Sequence, residues 1–402
     1  MTIYLLGLMI LMVEGWGLKP LGYLSPDVYL VLTLGYLLFS YVLFPERKFT
    51  YFSKQMIPFW LVVIGIVLSV IPAWIFHNQS ILQSIISYRA QFLWLVVPIL
   101  LRLRPTLREV NHSCLIFTVA LLILTILHSF MPSLFVHSQE EMEKIMAQEE
   151  DGMYLLRGFS IPVIPLAIAL QKLGQRFEMR DLLIVAFCFF CLFVQENRTS
   201  LFASIFMVGL MFLYSKYKYR YVVMVAMGVL AGIFVWSTIA TWIALIEETI
   251  MQVGDADYNR NKAMLYYLSP LANPSWATYI FGNGFLSAHA SQLMATMMAE
   301  GVYNSDVGYV GFWNQFGLLP IVGFFLLIIR WGFRNATGIL SKLLALFLMV
   351  TSITIGYYGQ ASHLLFFALA YYLMTRQNRR KVAIVLAPQS TTTSSITPMH
   401  NQ

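Results

Sequence analysis

The sequence predicts an all-α, polytopic integral membrane protein with about twelve transmembrane helices, since a span needs roughly 17 to 25 mainly apolar residues. Three observations carry this reading. Hydrophobic residues fill 59% of the 402 positions and charged residues only 11%, whereas charged residues make up roughly 25% of ordinary soluble domains. Mean hydropathy is +0.70. Apolar runs follow one another at membrane-crossing length, too long for barrel strands, and backbone groups in lipid must find partners within their own segment, so the runs are helices.

In chain order the runs cover 2–18, 24–44, 56–76, 81–101, 111–131, 156–172, 181–195, 199–215, 221–246, 309–330, 339–356 and 359–375. The first lacks a basic leader, contains Glu14 and is followed at once by the second, so it reads as a retained helix and not as a cleaved signal peptide. Cys114, Cys188 and Cys191 all fall inside apolar runs, which argues for packing and against a disulfide framework. The Cys188-x-x-Cys191 spacing has no second ligand pair and no nearby His, so no metal site is expected there. With no internal repeat, residues 1–381 form one transmembrane helical domain. The Ser/Thr-rich stretch 382–402 is expected to be a disordered cytoplasmic tail.

The net charge of +7 is a topology signal and not a nucleic-acid footprint. Assigning alternate connections to the cytoplasm collects there every Lys and Arg except Lys19, Arg89, Lys144, Arg157, Arg198, Arg260 and Lys262. That is the positive-inside bias of a polytopic protein, and it puts both termini in the cytoplasm. Two long connections then lie outside. One, 132–155, carries Glu140, Glu141, Glu143, Glu149, Glu150 and Asp151; its acidity reads as a solvated face, with a short surface helix over 138–150. The other, 247–308 between the ninth and tenth runs, is the long polar excursion of the chain. Its Met264, Tyr266, Tyr267, Trp276 and Tyr279 suit a structured lid better than a disordered loop.

The cations outside the cytoplasmic set are the informative ones. Arg89 lies in the external half of the fourth run, Arg157 where the acidic connection re-enters, Arg198 in the tight 196–200 connection, and Arg260 in the large loop. An ionisable group within a span faces a partner or a watery cavity, and the planar arginine fork suits phosphate oxygens. The structural alternative is an ion pair, of Arg89 with Glu14 or Asp27 and of Arg198 with Glu196. Two groups are candidate bases. His289 titrates in the useful range when unperturbed. Asp306 stands just before a span, where burial raises a carboxyl pKa, although capping that helix is a competing role. Gly282-x-Gly284 reads as a turn, because its flanks are not those of a dinucleotide or phosphate loop.

Three stretches resemble the bacterial O-antigen and capsular polysaccharide polymerase (Wzy-type) family, which shares its architecture with the O-antigen ligases. They are Gln195-Glu196-Asn197-Arg198-Thr199-Ser200-Leu201; Asp257-Tyr258-Asn259-Arg260-Asn261-Lys262 with Phe281-Gly282-Asn283-Gly284-Phe285; and Tyr303-Asn304-Ser305-Asp306-Val307-Gly308-Tyr309 leading into Phe316-Gly317-Leu318-Leu319. The likeness in layout covers nearly the whole chain, while each motif is short. It implies a polyprenyl diphosphate-linked glycan as substrate, engaged at the external face of the bacterial inner membrane by Arg198 and Arg260. No metal-ligand cluster is seen in the sequence, so metal independence is expected, with no cofactor and, from the charge distribution, no nucleic acid; a chain-length regulator and a flippase are candidate companions. Ligases carry a His-Asn pair shortly before the span with Gly-Leu-Leu; this chain has Ser305-Asp306 there, a departure toward polymerase.

The expected chemistry is glycosyl transfer, in which an acceptor hydroxyl attacks the anomeric carbon with base assistance from Asp306 or His289. Arg198 and Arg260, with Arg157 and Arg89 as further candidates, would hold the departing diphosphate. Two rivals fit the same residues or topology. One is an O-antigen ligase, and the other, from a different class, is a twelve-helix transporter or lipid-glycan flippase. The transporter fits less well, since its usual two similar halves are not evident here.

Overall fold

The computed structural model describes residues 1–13, 26–45, 53–131, 134–135, 160–195, 198–214, 221, 225, 259–269, 272–286, 307–334, 338–355 and 361–386. Among them the regular elements are all helical. They are α1 (Thr2–Met12), α2 (Pro26–Leu43), α3 (Ile57–Leu68), α4 (Val70–His77), α5 (Ile81–Ser87), α6 (Val96–Leu103), α7 (Leu107–Phe130), α8 (Val163–Leu173), α9 (Met179–Val194) and α10 (Arg198–Tyr214). After these come α11 (Asn259–Leu268), α12 (Trp276–Phe281), α13 (Gly308–Phe316), α14 (Leu318–Leu326), α15 (Ile339–Thr351) and α16 (Ala361–Leu386). Short 3₁₀ segments precede α3 and α6, and a π-helical segment over Leu327–Arg334 follows α14.

Local chemistry explains the starts and breaks. Ser80 with Gln83, and Thr106 with Glu109, form capping boxes that open α5 and α7 by satisfying first-turn donors reciprocally. Pro72 has no N–H for the carbonyl of Leu68, and Pro320 none for that of Phe316; the helices are interrupted beside them, at Ser69 and at Gly317. Gly317 adopts φ +77, a conformation glycine takes without Cβ strain. The fourth apolar run is also broken, with α5 and the Arg89–Leu103 segment meeting at a 57° bend.

The sequence expectation of unbroken spans is therefore met only in part. Among the described residues, two helices are long and apolar enough to cross a membrane, Lys54–His77 (α3 and α4 read as one rod) and Leu107–His128, or three if the bent pair counts as one span. Several runs appear as shorter apolar helices, α1, α8 and α15 among them. The ninth run, 221–246, and the acidic connection with its expected helix over 138–150 lie outside the described residues apart from 134–135, 221 and 225. At the other end, α16 continues to Leu386, into the stretch expected as tail.

The core is built around α16. Residues 364–375 are buried on every side, the mark of a helix enclosed by others, and it packs on α1, α6, α8, α15 and the 3₁₀ and π segments. Its C-terminal half is tied by polar groups: Tyr372 donates to the Pro105 carbonyl at 2.5 Å, Arg376 to the same oxygen at 2.8 Å, and Tyr371 to the Gln55 carbonyl. Buried Arg102 serves α2 similarly. Its guanidinium donates to the carbonyls of Ser40 at 3.2 Å and Phe44 at 2.7 Å and lies over the Tyr41 ring, placing a cation at the negative end of the α2 dipole, where the Ser40 oxygen also accepts the Phe44 N–H at 3.0 Å. Between α1 and α2 ring packing and hydrogen bonds combine. Tyr4 and Tyr36 stack at 4.7 Å and exchange hydroxyl-to-carbonyl bonds at 3.1 and 3.2 Å, joining α1 to α2.

Meanwhile large apolar side chains stand exposed on the outside, including Val31, Val42, Val67, Ile123 and Leu213. A water-soluble monomer seldom carries so much exposed apolar surface.

The tightest crossing is α3 against α14. Gly65 receives the Pro320 ring, and Gly323 lies under the Pro58 carbonyl and Leu61, so each helix offers a glycine to a proline of the other. Replacing Gly65 with Leu is expected to cost about 1–3 kcal/mol by overpacking and to lower the thermal midpoint of the detergent-solubilised protein. Gly35→Leu, at a position with nothing within 4 Å, is expected to stay within about 0.5 kcal/mol of the parent. Equal midpoints for the two variants would contradict the crossing.

Candidate functional site

Of the residues singled out in the sequence, Arg157, His289 and Asp306 lie outside the described residues. Arg89 opens the 3₁₀ segment before α6; it is ion-paired with Asp27 in the first turn of α2 and donates to the Ile86 carbonyl at 3.0 Å. The ion-pair alternative with Asp27 is thus realised. Both side chains are about half exposed, 48% and 60%, a setting in which such a pair contributes only about 0–1 kcal/mol.

Arg198 is the first residue of α10 and Arg260 the second residue of α11. Neither helix has an acidic residue in its first turn. The N-terminus of a helix carries partial positive charge from unpaired N–H groups, so a cation there is unfavourable unless an anion joins it. The same feature favours anion binding. Each arginine therefore adds formal charge to an already positive helix end.

Contacts next to the three family-like stretches bring them to one turn of the fold. Thr354 donates to the Thr199 hydroxyl at 3.2 Å, linking the turn after α15 to the start of α10. Two residues earlier, the Ser352 carbonyl accepts the Tyr309 N–H at 2.8 Å, at the start of α13, where Gly308 (φ +38) lies too close to Ser352 and Ile353 to admit a side chain. On its other side α13 meets α11, through Val307 and Val310 against Ala263 and Tyr267. A small apolar cavity of about 20 Å³ opens beside this turn, lined by Trp94, Tyr309, Phe312, Phe324, Ile355 and Phe367 with Gly308 and Ser352. That volume is about one water's worth, far too small for a sugar.

Gly282 and Gly284, expected as a turn, both adopt φ +81. Their position is more specific than a surface turn. The N–H groups of Asn283 and Gly284 donate to the carbonyls of Asn314 (2.7 Å) and Gln315 (2.8 Å) at the α13–α14 break. A Cβ on Gly284 would meet Ala73 at 2.7 Å and both the Ser69 carbonyl and the Tyr88 hydroxyl at 2.9 Å. The adjoining hydrogen bonds have one consistent direction. Phe285 N–H donates to the Tyr88 hydroxyl at 3.0 Å, the Tyr88 and Ser69 oxygens lie 2.6 Å apart, and Ser69 donates to the Ile66 carbonyl at 2.7 Å. With its own proton committed to Ile66, Ser69 accepts from Tyr88. Gln79, fully buried, completes the clasp by donating to Ser84 (3.0 Å) and to the Phe285 carbonyl (3.1 Å).

Sequence reading missed Ser69, His77, Gln79, Tyr88, Asn273, Asn283 and Asn314. The available signal was weak: Ser69, Tyr88 and Asn314 are lone polar groups within apolar runs, His77 and Gln79 stand between two runs, and Asn273 and Asn283 are ordinary residues of the polar loop. All three cysteines are buried and unpaired, and no group of three or more His, Cys, Asp or Glu side chains comes together among the described residues. No family model and no curated protein matches the chain.

Tyr88→Phe removes one hydroxyl from the clasp while keeping the ring that packs on Phe285 and Phe316. Because the Ser69 oxygen and the Phe285 N–H each lose a partner, the expected loss is about 1–3 kcal/mol, read as a lower thermal midpoint. An unchanged midpoint would mean that the hydroxyl is dispensable.

Proposed function

We propose that this chain is a membrane-embedded polysaccharide polymerase, a glycosyltransferase that joins polyprenyl diphosphate-linked repeat units at the external face of a bacterial inner membrane. The single observation that carries the proposal is the placement of Arg198 and Arg260 in the first turns of helices without acidic residues there. Two such ends form sites for phosphate oxygens, and the contacts of Thr199, Val307 and Ser352 favour a shared neighbourhood for them. The exposed apolar side chains and the apolar helices support a bilayer setting. In this reading the twelve apolar runs are twelve spans, the shorter described helices are parts of them, both termini are cytoplasmic, and the loop after the ninth run is external.

The reaction follows from where the substrate is activated. Outside the cytoplasm nucleotide sugars are absent, so the donor is itself lipid-linked. An acceptor hydroxyl at the end of one repeat unit attacks the anomeric carbon of the growing chain. A new glycosidic C–O bond forms, the bond to the diphosphate breaks, and the hydroxyl proton passes to Asp306 or His289. The lipid diphosphate departs with its bonding electron pair, and Arg198 and Arg260 stabilise the charge that develops on it. Holding two large lipid-anchored substrates in reacting geometry supplies much of the acceleration.

The test is reconstitution of the purified protein in liposomes with polyprenyl diphosphate-linked repeat units, without nucleotide sugar or ATP. A ladder of repeat multiples on a gel is the expected product. Arg198→Ala and Arg260→Ala should each reduce polymerisation by about 10²–10³-fold while leaving membrane insertion intact. Normal ladders in both variants would end the diphosphate role. No ladder from folded wild-type protein, with transfer only when an acceptor lipid is added, would identify a ligase; movement of the lipid-linked unit without bond formation would identify a transporter.

A further inference from the structure

We propose that Asn273 is a positioning residue: with Asn283, Asn314 and His77 it forms a buried amide chain that fixes α11, and therefore the backbone of Arg260, to the helical bundle. The inference rests on the reading of Arg260 given above, but the mechanical part stands on geometry alone.

Asn273 is 5% exposed, and all four of its side-chain hydrogen-bonding positions are used. Its amide nitrogen donates to the carbonyl of Tyr267 at 2.7 Å and to that of Ser269 at 3.2 Å, two acceptors at the C-terminal end of α11. Helix ends leave such carbonyls without helical partners, so Asn273 caps α11 from outside it. Its oxygen in turn accepts from the amide nitrogens of Asn283 at 3.2 Å and Asn314 at 3.3 Å. Asn283, 2% exposed, has committed its nitrogen to Asn273; its oxygen therefore accepts, and the His77 Nε2 at 2.9 Å must carry the proton. One continuous path then runs from α4, through the turn containing Gly282 and Gly284, to both α13 and the end of α11.

The path matters because it reaches α11 at its C-terminal end, away from the first turn that carries Arg260. Its buried side chains, Ala263 and Tyr267, form with Ala272 and Val307 a small apolar cluster separate from the main core. Isolated helices of this ten-residue length are marginal in water and depend on tertiary contacts. The amide chain adds directional hydrogen bonds to the apolar contacts of the satellite cluster. If Arg260 holds the leaving diphosphate, the angle and reach of its helix matter to the rate, since misplacement by about 1 Å can cost 100-fold.

The test separates tether from chemistry. Purified full-length protein in detergent micelles is treated with trypsin, and cleavage after Lys262, an exposed residue of α11, is timed by mass spectrometry. Cleavage within a helix requires local opening. Asn273→Ala should accelerate it about tenfold or more, and Asn273→Asp, which keeps the acceptors and loses the donors, should do so as well. His77→Phe should act in the same direction, while His77→Gln, whose amide nitrogen can reproduce the Nε2 donor, should restore wild-type protection. In the reconstituted polymerisation, Asn273→Ala should lower kcat more than it raises KM, with His77→Gln near wild type. Wild-type cleavage in both Asn273 variants would overturn the tether. Accelerated cleavage with unchanged turnover would overturn the positioning role. If Arg260→Ala polymerises normally while Asn273→Ala opens α11, the tether survives, and both the role of Arg260 and the positioning drawn from it fall.

Discussion

Gly282 and Gly317 face each other backbone to backbone, and the loop end of the bundle depends on that apposition. A Cβ on Gly317 would run into the carbonyls and amides of residues 280–282, and one on Gly282 into those of residues 315–317. Only because both positions lack a side chain can Asn283 and Gly284 reach the carbonyls that the α13–α14 break sets free. Breaking a helix in an apolar interior is costly when its N–H and C=O groups go unpaired. Here the break and the loop satisfy each other: the loop lends its N–H groups, and the broken helix gives the loop a fixed address. Ser69, Gln79 and Tyr88 extend the same exchange to α3, α4 and α5. Three interrupted apolar runs and one polar loop thus form a single hydrogen-bonded unit.

That unit is neutral, and the neighbouring arginines are set apart from it. Buried amides, hydroxyls and one imidazole build the clasp, so it carries no formal charge for a phosphate to disturb. Arg198 and Arg260 instead occupy helix starts, where the backbone adds to their field. Arg102 shows the opposite arrangement, with the guanidinium against the carbonyl end of α2. An arginine at a helix C-terminus is already satisfied by protein. One at a helix N-terminus has its nearest dipole turned against it, and an anion relieves both at once. By this contrast Arg89, already paired with Asp27, belongs with Arg102 among the arginines satisfied by the protein itself.

The helical class was legible from apolar run length, and so were most helix positions, because burying or facing lipid with twenty apolar residues leaves few other options. The breaks were not. Ser69 and Gly317 sit within runs whose composition stays apolar throughout, so a hydropathy reading passes over them; Pro72 and Pro320 were the available clue. Gly282 and Gly284 were legible as a turn, since positive φ favours glycine, but not as the piece that enters the α13–α14 break, which is a contact across more than thirty residues. Arg198 and Arg260 stood out because the alternating assignment of connections leaves them outside the set of cations collected on one side. Asn273 did not stand out at all. An asparagine in a polar loop is commonplace, and its importance comes from four partners that only the folded chain brings within reach.

The clasp also bears on which class of activity the fold favours. A transporter works by rocking one group of helices against another around a central site, so a loop bonded simultaneously to α4, α13 and the end of α11 would have to break several buried hydrogen bonds in each cycle. Each bond lost without replacement by water costs about 1–3 kcal/mol, and buried Gln79 and Asn273 have little access to water. A transferase has the opposite requirement. Its reacting groups must keep their places while long, mobile, lipid-anchored substrates come and go, and rigidity at the loop root is what converts binding into orientation. The hydrogen-bonded root of this loop therefore suits a fixed site better than one that must open and close in each cycle.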